Sequence, residues 1–134
     1  MALLAPTPPQ IQRTPAPAAL LPTVFRILNA WKLRDVEQQR LLGLDSASTL
    51  YEWRRHAPSR LQQQTLERIS YILWVYEYLH ALFGEGPAAD EWLRRPNTAA
   101  LFAGKPPAEV FCSGLFGDVF RVYDYLYGQT QGWQ

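Results

Sequence analysis

Apolar residues in this chain recur at intervals of three and four, the spacing of helices rather than strands. The clearest case is LQQQTLERISYILWVYEYLHALF, residues 61–83, within the longest run free of Gly and Pro. Leu66, Ile69, Leu73, Tyr76, Leu79 and Phe83 share one helical face, and Ile72, Val75 and Leu82 widen it. Polar residues gather at the front, in Gln62, Gln63, Gln64, Glu67 and Arg68. The back is apolar and aromatic, with Trp74, Tyr76 and Tyr78. The spacing predicts one long helix, over 61–86 with its closing turn, joining a module that ends near Pro58 to one that begins near Pro87.

Six prolines between Pro6 and Pro22 remove amide donors and block helix, so residues 1–22 read as a disordered or extended tail. Residues 23–60 then hold three short helices. In the first, TVFRILNAW, the stripe Val24, Ile27, Leu28 and Trp31 is buried. Asp35 is a candidate N-cap for the second, which Gly43 ends because glycine accepts positive φ. Asp45 or Ser46 caps the third, SASTLYEWRRH, with Leu50 and Trp53 pointing inward. Two short helices around a Gly-containing turn, the second polar and basic outside, have the organisation of a helix-turn-helix. Many helical bundles share that pattern.

After the break at Gly84 to Pro87, residues 87–134 carry short helices at Ala88 to Arg94 and Ala108 to Phe111, then a last one at Leu115 to Tyr127. The tail GQTQGWQ holds Trp133, an indole with no reason to stay solvated. The fold class expected is all-α.

Composition adds a bias toward interfaces. In 134 residues the chain has five Trp, seven Tyr and six Phe, more than a core of this size calls for. Net charge is +1, but it is unevenly spread. From Thr23 to Arg68 eight basic residues face five acidic ones, and from Ile69 onward four basic face seven acidic. A basic front and an acidic back suit two partners of different kinds. The single Cys112 excludes an internal disulfide. No apolar run reaches membrane-spanning length, and the N-terminus has no signal-peptide pattern, so a cytoplasmic protein is expected.

Catalytic patterns are missing. His56 and His80 have no metal-ligand spacing, Cys112 has no basic neighbour, and the glycines form no phosphate loop. The chain reads as a non-enzyme with no cofactor and no metal.

The order of landmarks is more specific than any one of them. The succession ILNAW, EQQRLLGL, STLYEWRR, LERISYILWVYEYLHALF, EWLRRPN, LFAGKPPAEVFCSG and FRVYDYLYG resembles the Xre/MbcA/ParS antitoxin family over residues 24–133. Trp92, Leu93, Pro96, Asn97, Leu101, Phe102, Gly104, Pro106, Gly114 and Gly128 match the pattern of the family's toxin-binding domain in order. The chain departs from it at Ala103, where a second Gly is usual, and at Pro106-Pro107-Ala108, where Ser-Pro-Leu is typical.

The resemblance implies a type II antitoxin. Its partner would be a RES-domain toxin that depletes NAD, obstructed at its active site by C-terminal elements. Its helix-turn-helix would bind the operon's own operator DNA, as a homodimer or a higher hetero-oligomer with toxin. Under that reading Ser46, Ser48, Thr49, Tyr51, Arg54 and Arg55 face DNA. Trp92, Arg94, Arg95, Asn97, Lys105, Tyr123, Tyr127, Trp133 and Gln134 face the toxin. Trp92 and Asn97 read equally well as a core ring and a cap. Trp133 and Gln134 suit a plug in the nucleotide pocket. Two alternatives stay open: a free-standing helix-turn-helix regulator without a toxin, and a protein-binding adaptor that no longer binds DNA.

Overall fold

The computed structural model describes residues 17–132, and every regular element among them is helical. The order is α1 (Pro17–Ala30), α2 (Asp35–Leu42), α3 (Ala47–Arg55), α4 (Gln63–Phe83), α5 (Pro87–Glu91) with a 3-10 turn at Trp92–Arg94, α6 (Ala108–Phe111) and α7 (Phe116–Thr130).

Three boundaries differ from the sequence reading. α1 starts at Pro17, within the tail expected over 1–22 and ahead of the start expected at Thr23. Pro22 lies inside α1, where it removes one ladder bond and crowds the preceding turn, and Leu21, 1% exposed, offsets this by packing the added turn into the core. Arg34 rather than Asp35 is the N-cap of α2, because Glu37 reaches back to accept from the Arg34 backbone N–H at 2.7 Å. α7 continues through Gly128 to Thr130, where a loose tail was expected.

Gly43 closes α2 at φ 72°, as its position predicts. Ser46 caps α3, its hydroxyl accepting from the Thr49 amide at 3.2 Å. The long helix forms as expected, and the rest of the chain packs around it. It contacts α1 and α2 from the first module and α5 and α7 from the second, with α7 its largest partner.

One hydrophobic cluster runs through both modules. Its junction is Trp31 at the end of α1, fully buried, with Tyr76 of α4 at 6.4 Å and Phe111 of α6 at 5.9 Å. Two expectations for α4 fail. Phe83, placed on the buried face, is 43% exposed because the helix ends there. Arg68, grouped with the polar residues at the front of the helix, is 5% exposed. Its guanidinium donates to the Arg40 and Leu41 carbonyls at 3.1 Å each and to the Gly114 carbonyl at 3.3 Å. It thereby closes the last turn of α2, where a cation complements the helix dipole, and ties that turn to the second module.

Candidate functional site

The helix-turn-helix is held by polar groups as much as by its core. Gln38 of α2, 1% exposed, donates to Asn29 Oδ1 at 3.1 Å and to the Leu33 carbonyl at 2.9 Å. Its own oxygen accepts from Arg54 at 2.9 Å, and Asp35 accepts from the same guanidinium at 2.8 Å. Arg54 thus binds α3 to α2 from a surface position, with its guanidinium also 5.8 Å from the Phe25 ring centre. The hydrogen bond from Arg54 holds the Asp35 carboxyl below its ordinary pKa. Ser46 is likewise committed, to the cap and to the Ser48 and Thr49 hydroxyls at 3.0 Å.

What α3 leaves outside is a stripe at helical spacing: Ser48, Tyr51, Glu52 and Arg55, all exposed. Arg55 lies 5.5 Å from the Tyr51 ring centre, and Tyr51 is 60% exposed. An open groove of about 730 Å³ runs from α1 to the end of α3, lined by Arg26, Arg54, Arg55 and His56 among other residues. Such a helix can enter a major groove, and such a margin can meet phosphates.

In the second module, several residues expected at a toxin face are used inside the chain. Arg94 bonds both oxygens of Glu37 in α2, one at 3.0 Å, and donates to the Lys32 carbonyl at 3.0 Å. Burial alone would raise the Glu37 carboxyl, but the hydrogen bonds from Arg94 and Arg34 outweigh it and hold the pKa low. Trp92 is half-buried against Phe102 at 5.6 Å and stacked on Tyr125 at 6.2 Å. Asn97 closes a loop: its side chain accepts from Ala99 N–H, and its backbone pairs with Gly104 and Lys105. Tyr123 is fully buried, 4.8 Å from Tyr71, and burial followed by its bond with Tyr78 raises its phenol pKa.

Arg95 pairs with Glu91 in solvent, Lys105 is exposed 4.0 Å from Glu109, and Tyr127 is half-buried 6.2 Å from Tyr78. Trp133 and Gln134 lie outside the described residues. Cys112 is buried, and desolvation pushes its thiol up to about 12, so it stays a thiol.

The sequence reading did not find the anchors Glu37, Gln38 and Arg68. For Glu37 a signal existed, since it stands three residues after Arg34, the capping-box position. Gln38 and Arg68 sit among polar neighbours and carry no such mark. Among the described residues no group of three His, Cys, Asp or Glu side chains could hold a metal ion, and no helix is long and apolar enough to cross a membrane.

Comparison with known proteins matches this division. Residues 11–73 match the antitoxin Xre-like helix-turn-helix domain, and residues 79–132 match the antitoxin Xre/MbcA/ParS C-terminal toxin-binding domain. The uncharacterized protein y4oB of Sinorhizobium fredii (strain NBRC 101917 / NGR234) is 37% identical over 114 residues, covering 85% of this chain and 86% of the relative. The chain belongs to the Xre/MbcA/ParS antitoxin family, with a helix-turn-helix domain followed by a toxin-binding domain.

Proposed function

We propose that this antitoxin neutralises a RES-domain toxin that degrades NAD, obstructing its active site with the C-terminal module, and that its helix-turn-helix represses their shared operon. The observation that carries the reading is the fusion of both matched domains into one body around α4, with one core. A chain built this way brings a DNA-reading helix and a toxin-binding surface into a fixed relation. The identity of the toxin follows from the family resemblance, whose toxins carry the RES fold.

For DNA the supporting geometry is the outer stripe of α3. Ser48, Tyr51 and Arg55 are exposed and can reach base edges or phosphates, Ser48 while its hydroxyl meets Ser46, and Ser46, Thr49 and Arg54 hold the helix in place. For the toxin, Arg95, Lys105 and Tyr127 remain as contacts, with Trp133 and Gln134 as the plug in the nucleotide pocket. Helix-turn-helix proteins usually read two half-sites, so a dimer within the toxin complex fits this reading.

Co-expression with the adjacent RES-domain gene tests neutralisation. Growth and cellular NAD are expected to recover when both proteins are made, and persistent arrest despite good expression of both sinks the reading. Gel-shift binding to the chain's own promoter is expected to weaken as salt rises, through counterion release.

A further inference from the structure

Among the described residues, the second module exposes an aromatic face that no other segment covers. Leu115, just before α7, is 66% exposed, and Phe120, one turn into α7, is 38% exposed. Between them Phe116 is half-buried, and Tyr71 of α4 meets both rings edge-on, at 5.6 Å from Phe116 and 5.9 Å from Phe120. The same Tyr71 ring lies 4.8 Å from the fully buried Tyr123. The cluster therefore runs from the core to the surface. Its inner end fixes the outer rings, so they lose little freedom when a partner covers them. A polar rim adjoins it: Asp118 accepts from Ser113 at 2.8 Å and pairs with Arg121 at 3.2 Å. A single exposed Leu is ordinary, but contiguous rings with a polar margin have the anatomy of a protein interface.

We propose that this face, Leu115, Phe116 and Phe120 backed by Tyr71, is where the toxin docks, through an apolar depression on the toxin. Three of the four residues fall within 79–132, the part matched to the toxin-binding domain. In the same module three further rings, Trp92, Phe102 and Tyr125, are spent on one another. The domain match selects the toxin over a second copy: the face lies in the part matched to a toxin-binding domain. Its charged margin mixes both signs, with Asp118 paired to Arg121 and the Arg68 guanidinium 5.6 Å from the Phe116 ring centre.

The proposal rests on the antitoxin reading, and the experiment separates the two. Leu115→Asp and Phe120→Asp alter exposed positions and are made in the full chain, with thermal melting as the check on folding. Titration against the purified RES-domain toxin of the adjacent gene is expected to show roughly 30-fold weaker binding for each, the loss of one interface anchor. Promoter binding is expected to stay unchanged. A photo-crosslinking residue at position 115 in an otherwise native chain, which does not depend on the substitutions, is expected to link to the toxin. Native affinity in both variants, or crosslinks only between copies of this chain, overturns the proposal and leaves the antitoxin reading standing. Failure of the unaltered chain to bind the toxin overturns both.

Discussion

Ala103 holds φ at 52°, in the left-handed region, beside Gly104 at φ 84°. The loop 97–105 needs that geometry, because Ala103 and Phe102 donate to the Ala99 carbonyl while Gly104 N–H returns to Asn97 at 2.8 Å. The family's usual second glycine at this position has a physical reason: a Cβ in this region costs on the order of 1 kcal/mol. Ala103→Gly is therefore expected to stabilise the chain by a few tenths of a kcal/mol, about 1 kcal/mol of relieved strain less the extra unfolded-state entropy, raising the melting temperature by about one to two degrees. An unchanged or lower melting point contradicts the strain. Glu37 poses the opposite case. Its side chain is 8% exposed and its partner Arg94 32%, so Arg94→Met leaves a carboxylate largely buried with Arg34 as its remaining cation. The expected cost is about 2–3 kcal/mol, below that of a fully buried pair because Arg94 keeps some solvent. The folded Glu37 pKa lies below its ordinary 4.5. Its contribution is thus complete above the unfolded value and lost as pH falls through the folded one. Acid titration of stability is expected to show a step below about pH 4.5 that Glu37→Gln removes.

At the scale of elements, α3 separates two adjacent arginines that the sequence treats alike. Arg54 belongs to the fold, held by Asp35 and Gln38, whereas Arg55 is exposed on the outer stripe with its guanidinium over the Tyr51 ring. Arg55→Ala is expected to weaken promoter binding by about 10-fold or more, the value of one base or phosphate contact, with little change in melting. Arg54→Ala is expected to lower the melting temperature and to weaken DNA binding only through that loss. Equal effects on DNA with both proteins fully folded would remove the division. The elements themselves were largely legible, because periodicity and end signals are local: the long helix, the Gly43 stop and the Ser46 cap all stand where the residues put them. What was not legible depends on partners distant in sequence. Arg68 looks solvated among Gln64 and Glu67 until α2 brings the Arg40 and Leu41 carbonyls to it. Arg94 looks like a surface arginine until Glu37 faces it across 57 positions. The site suffered most, since a residue's freedom to bind is whatever tertiary contacts leave over, and Trp92, Asn97 and Tyr123 turned out to be already occupied.

For the molecule as a whole, the two matched domains share one hydrophobic cluster. Both lay their apolar stripes on α4, and Trp31, from the first, sits among Tyr76 and Phe111 with no solvent contact. Polar ties cross the same boundary at both ends of α2: Glu37 to Arg94 near its start, and Arg68 between its last carbonyls and Gly114. With one cluster spanning both modules, unfolding is expected to be one cooperative step. Trp31→Ala opens a cavity at the junction and is expected to cost about 3–5 kcal/mol. The sharper expectation is where that loss appears. In a denaturant series on the variant, promoter binding, toxin binding and helical circular dichroism should share a single midpoint, shifted equally from the unaltered chain. If DNA binding failed first while toxin binding persisted, the helix-turn-helix would be melting by itself, and the shared core would not be what couples the two surfaces.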